Sequence, residues 1–168
     1  MFERARSIEM VILVLASLFL GCWQGSTTGP GEIHWDRETC EHCQMVISER
    51  RHAVQVRLRN DRQTHAFDDL GCGLLWLDQQ ESTEAANEQA EVWAKSSDGG
   101  DWIDARSAHF EAGLNTPMAY GFGIAEEGFS LAEVRTAVRE TEQRRRSRTA
   151  RPADPTHHHE HSKGEDLD

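Results

Sequence analysis

HAVQVRLRNDRQTHAFDDLGCGLLWLDQQ, residues 52–80, carries two hydrophobic periods in succession. Between His52 and Arg59 the residues alternate, with Val54, Val56 and Leu58 on one side and Gln55, Arg57 and Arg59 on the other. A period of two is that of a half-buried strand. Asn60-Asp61 is a turn signal, and Gln63 to Phe67 reads as the returning strand of a hairpin. The period then changes. Asp68 or Asp69 can cap a helix reaching Gln80, along which Leu70, Leu74 and Leu77 recur at helical spacing. A hairpin that feeds a helix is a β-β-α unit and sets the class as α+β.

Downstream, Glu81 to Glu91 is acidic and without strong periodicity, so it reads as a loop or a frayed helical stretch. Glu91 to Ser96 alternates again, Ser97-Asp98-Gly99-Gly100 is a strong turn, and Trp102 to Ala105 returns as a strand. Asn115-Thr116-Pro117 breaks the chain, and Met118 to Ala125 predicts another strand. Ser130 and Glu133 form a capping box for a helix to Arg144, with Leu131, Val134 and Val138 as its apolar stripe. The order is hairpin, helix, hairpin, strand, helix, which suggests two small ββα units with antiparallel sheets. The folded part is expected over 33–145, followed at 146–168 by a disordered tail with almost nothing apolar to bury.

Upstream, residues 1–22 read as an address. Arg4 and Arg6 precede an apolar run from Met10 to Leu20, interrupted only by Ser17. That is shorter than the roughly 20 residues of a membrane span, and it has the length of a signal-peptide core. It ends in Leu18-Phe19-Leu20-Gly21-Cys22, which resembles the lipobox of bacterial lipoproteins with Cys22 as the lipidated residue. Residues 23–32, including GSTTGPG from Gly25, predict a flexible tether. The chain is therefore expected to be exported and held to a membrane by a lipid. Its net charge of −11 does not suit a partner made of nucleic acid, whose phosphates need a basic surface.

The strongest chemical signal is Cys40-Glu41-His42-Cys43-Gln44-Met45, just ahead of the first strand. Two cysteines at this spacing can share a metal ion or bond to each other. A redox pair would ordinarily open a helix, and here a hairpin comes next. Zinc needs four ligands, and Cys72 stands without a close partner. Met45 adds a thioether, a poor donor for zinc and a good one for copper(I). On an extended chain Cys43 and Met45 would face the same way. The plain alternative is a disulfide with Met45 in the core. Cys72 falls in the first turn of the helix, where the dipole favours a thiolate, although a small buried cysteine is the commoner outcome. His42 is a spare donor inside the motif, and His65 reads as a satisfied strand histidine. His157, His158, His159 and His161 could loosely hold Cu(II), Ni(II) or Zn(II).

Taken in order, CEHCQMVIS, HAFDDLGCGLLWL, WIDARSAHF and NTPMAYGFGI resemble segments of the NosL family, the copper chaperones that accompany bacterial nitrous-oxide reductase. The resemblance spans about residues 33–140. It implies a lipoprotein facing the periplasm or cell exterior, with an α+β fold of two ββα units. It also implies one bound Cu(I), delivered to nitrous-oxide reductase with an ABC-type maturation transporter as docking partner. Carried over, the ligands are Cys43 and Met45, with Met118 as a third candidate and Asp69 assisting. Ala119 stands where the family has glycine. The expectation is a non-enzymatic Cu(I) metallochaperone in which Met118 or His42 completes a site of low coordination. Two other readings stay open: a zinc-stabilised module using Cys40, Cys43, Cys72 and a histidine, or a thiol-disulfide oxidoreductase using Cys40 and Cys43.

Overall fold

The computed structural model describes residues 28–59, 61–80 and 89–150. The leader with Cys22, the start of the tether, Asn60, residues 81–88 and the His-rich tail from 151 onward lie outside them. After a single 3-10 turn at Arg50–His52, the elements are β1 (Val54–Arg57), β2 (His65–Phe67), α1 (Leu70–Gln79), β3 (Glu91–Lys95), β4 (Trp102–Asp104), β5 (His109–Ala112), β6 (Phe122–Ala125) and α2 (Leu131–Thr149). The class is α+β, as expected. One antiparallel sheet has the order β2-β1-β3-β4, and β5 and β6 make a second, two-stranded antiparallel sheet. Two β-β-α runs are present, β1-β2-α1 and β5-β6-α2, but the β3–β4 hairpin joins the first sheet instead of opening a second unit.

Several expectations need correction. β1 has a neighbour on each edge, with Val54 opposite Phe67 on one side and Ala94 on the other. All four of its residues are buried, including Gln55 and Arg57, which alternation had placed toward solvent. The end of the expected tether explains it. Gly31 N–H donates to Gln55 Oε1 at 2.7 Å, and Gln55 Nε2 donates back to the Gly31 carbonyl at 3.2 Å. Arg57 donates to the Gly29 carbonyl at 2.9 Å and the Arg62 carbonyl at 2.7 Å. Burying such groups is tolerated because most of their donors reach backbone acceptors, while Arg57 Nε faces the Glu91 carboxylate at 3.7 Å. The strand expected from Met118 starts only at Phe122, because Ala119 and Gly121 take positive φ (54° and 80°) and turn the chain. β5 was not foreseen: of His109–Ala112 only Phe110 is buried, too little for a periodic signal.

α2 keeps the expected capping box, with Ser130 and Glu133 serving each other's backbone N–H. It runs past the expected end to Thr149, and Glu140–Arg144 and Glu142–Arg146 pairs at helical spacing accompany its last turns. Val134 and Val138 are buried, while Phe67, Leu74, Leu77, Val54 and Val92 fill the centre between sheet and helix. Asp78 on α1 accepts hydrogen bonds from both Arg135 and Arg139 of α2. Partial burial alone would raise the Asp78 pKa, but the two guanidinium groups outweigh it and hold the carboxyl below its usual range. Its stabilising contribution is therefore full above the unfolded value near pH ~4 and is lost as pH falls through the lower folded value. Asp78→Asn is expected to cost about 2 kcal/mol in urea denaturation at neutral pH, and the gap to wild type should close in acid.

Candidate metal centre

The cysteine motif is a tight reversal between two short extended pieces joined by a Thr39–Val46 bridge. Cys40 N–H donates to the Met45 carbonyl at 2.8 Å, and Gln44 N–H donates to the Cys40 carbonyl at 2.9 Å. Gln44 sits at φ 64°, so Cys43 and Met45 are not on an extended run and do not share a strand face. Glu41 N–H donates to the Ala66 carbonyl at 3.1 Å, which fastens the reversal beside the end of β2. Directly after β2, the chain enters α1 through Asp68 and Asp69. Asp69 caps the helix by accepting from Gly71 N–H at 2.9 Å. Cys72 comes next, in the first turn.

These two local structures bring Cys40, Cys43, Asp68 and Cys72 together, with their donor atoms all within 4.8 Å of one another. The three thiols are free. Cys40, Cys72 and Asp68 are buried, and Cys43 is half-buried. The Cys43 thiol donates to Asp68, at 3.2 Å to Oδ2 and 3.4 Å to Oδ1. The Cys72 hydrogen bond brings Cys40 down to about 7 against the opposing cost of burial, the lowest of the three thiols. Its donation to Cys40 and its own burial push Cys72 strongly upward. Burial is also the main cause that pushes Cys43 up to about 12, helped by its hydrogen bonds with Cys40 and Asp68 and by the Cys40 charge. Three cysteine sulfurs and one Asp68 oxygen form a donor set that a soft or borderline cation could bind by displacing thiol protons.

Cys22 and the tail histidines lie outside the described residues; the other residues singled out from sequence can each be placed. Cys40 and Cys43 are in the cluster. Cys72, which the sequence favoured as core, is in it too. The acidic member is Asp68 and not Asp69, because the capping carboxylate is already engaged: Asp69 Oδ2 accepts from Thr116 Oγ1 at 2.6 Å and from Met118 N–H at 3.1 Å. Consecutive aspartates thus serve the cluster and the Met118 turn separately. Met118 lines a cleft of about 700 Å³ together with His42, Cys43, Tyr120 and Arg145. Arg145 lies over the Tyr120 ring at 4.5 Å and donates to the Met118 carbonyl at 2.8 Å. Tyr120 packs so closely on α1 that a side chain on Gly71 would meet its ring at 2.2 Å. Met45 is 48% exposed. His65 is satisfied by Glu41 at 2.9 Å and Asp61 at 3.3 Å and stacks on Trp76. Sequence reading missed Asp68 as a donor. With the cap assigned to Asp69, Asp68 is the last extended residue before the helix, and its spacing to Cys72 was the available signal.

Fold and cluster together define a small α+β protein with a thiol-rich centre able to hold a metal ion. Among solved structures, the chain is similar to the copper chaperone NosL from Shewanella denitrificans, at 18% identity and a TM-score of 0.44, over 68% of this chain and 88% of that one. No family model matches the chain, and no curated protein matches it in sequence. The chain's own residues must therefore carry any functional assignment.

Proposed function

We propose that the protein is a Cu(I) metallochaperone that holds one ion at the cysteine cluster and passes it on through Cys43. The observation that carries this reading is the asymmetry of the donors: three are sealed in the core, while Cys43 also lines the cleft. A closed structural site has no use for an open side, whereas transfer by ligand exchange needs one. Thiolates select cuprous ion, and exposed Met45 and cleft-lining Met118 supply further soft donors at the surface. His42 lines the cleft with Met118 and adds a nitrogen donor. The motif resemblance supports nitrous-oxide reductase as client, an ABC-type transporter as docking partner, and a lipid anchor at Cys22 on an exported chain. The proposed role is to bind an ion and pass it on, without bond making in a substrate.

A second reading has one observation in its favour. The carboxylate of Asp68 gives a three-sulfur, one-oxygen set of the number zinc takes in structural sites, and it occupies the place where a histidine was expected. The oxidoreductase reading is weaker. The Cys40–Cys43 pair lies in a reversal between extended pieces and lacks the helix N-terminus that activates such pairs.

Anaerobic titration of reduced protein with Cu(I) against a chromophoric chelator separates the readings. One Cu(I) per chain is expected, with Cys43→Ser weakening it at least about tenfold. Stoichiometric zinc that excludes Cu(I), with unfolding on chelation, would favour the structural reading.

A further inference from the structure

We infer that Cys43 is a pivot between two stations on the path of one ion: a buried station of Cys40, Cys72 and Asp68, and an outer station in the cleft offered by Met118 and His42. This rests on the reading that the cluster binds Cu(I). The same thiol belongs to both groupings of donors. Cys40 and Cys72 are 0% exposed and Asp68 is 2%, so an ion held among them is out of reach of any incoming ligand. Cys43 belongs to that set, within 4.8 Å of its other donors, and also lines the cleft with Met118 and His42.

The outer donors are held in readiness. The Met118 backbone is clamped from both sides, its N–H by Asp69 at the N-cap of α1 at 3.1 Å and its carbonyl by Arg145 on α2 at 2.8 Å. Its turn is tightened by Ala119 at φ 54° and by Thr116, whose Oγ1 accepts from Gly121 N–H at 3.0 Å. A loop fixed in this way sets the backbone position from which the Met118 thioether reaches into the cleft. His42 sits in the same reversal, one residue before Cys43. The chemistry differs as well: the inner station can offer thiolate, and the outer one a neutral thioether and imidazole, which bind Cu(I) more weakly and let it go sooner.

Passage between stations is ligand exchange with Cys43 bound throughout. The ion remains Cu(I), so no electron moves. Each inner thiolate that leaves the ion takes up a proton from solvent, and each thiol that joins it releases one.

The test is stopped-flow transfer of copper from the Cu(I)-loaded full chain to bicinchoninate, paired with equilibrium competition. The variants are Cys72→Ser and the double variant His42→Ala with Met118→Leu; leucine preserves the volume of Met118. The double variant is expected to slow transfer at least about tenfold while shifting affinity less than about threefold. Cys72→Ser should weaken affinity about a hundredfold and speed release. A double variant that loses affinity as Cys72→Ser does would make the cluster and cleft a single site, and one unchanged in both rate and affinity would take the cleft off the path. Either result overturns the two-station inference and leaves Cu(I) binding standing. A wild-type chain that takes up no Cu(I) removes the reading beneath it.

Discussion

Cys40→Ser and Cys72→Ser are each expected to lower Cu(I) affinity by about a hundredfold, because both thiols are buried members of the cluster and serine offers cuprous ion a hard oxygen. The effect should be specific to the metal. Serine is close to cysteine in size, so the metal-free fold should lose no more than about 1–2 kcal/mol for the buried hydroxyl. The measurement is chelator competition on reduced protein, with denaturation of the metal-free variants as control. The sequence motif alone would have centred the site on Cys43 and Met45 and left Cys72 silent. A Cys72→Ser chain that binds Cu(I) like wild type would restore that narrower site.

Asp69→Ala should be the most damaging single change outside the cluster, at about 3–4 kcal/mol in urea denaturation. The Asp69 carboxylate is fully buried and accepts from Gly71 N–H at 2.9 Å, Thr116 Oγ1 at 2.6 Å and Met118 N–H at 3.1 Å. Alanine removes the cap of α1 and strands three donors, one of them the buried Thr116 hydroxyl. Asp69→Asn keeps one carbonyl oxygen and should cost roughly half as much. A loss below about 1 kcal/mol for alanine would mean that solvent or a rearranged Met118 turn can replace the carboxylate.

The parts of the fold that were legible are those whose information is local. The change of period at Phe67–Asp68, the Asp69 cap and the Ser130–Glu133 box each sit within a few residues and appear where expected. The misses come from neighbours distant in sequence. Gln55 and Arg57 are buried because Gly29 and Gly31 lie against them, some twenty-five residues upstream. Met118 lies in a turn whose positive φ at Ala119 and Gly121 goes with a hydrogen bond from its N–H to Asp69, the cap of α1.

The site divides in the same way. Cys40 and Cys43 announce themselves by spacing, but their convergence with Cys72 depends on the Glu41–Ala66 hydrogen bond that sets the reversal beside β2. No local pattern encodes that contact. The positive φ of Gln44, which turns Met45 out of the register expected of a strand, is likewise imposed by the closed reversal and not by residue type.

Soft-metal selectivity at the four-donor cluster is the claim on which the rest depends. Equimolar Cu(I) and Zn(II) offered anaerobically to the reduced full chain, with bound metal counted after gel filtration, tests it most directly. One Cu(I) per chain with zinc left in solution is the predicted result. One zinc per chain with copper left free would contradict it.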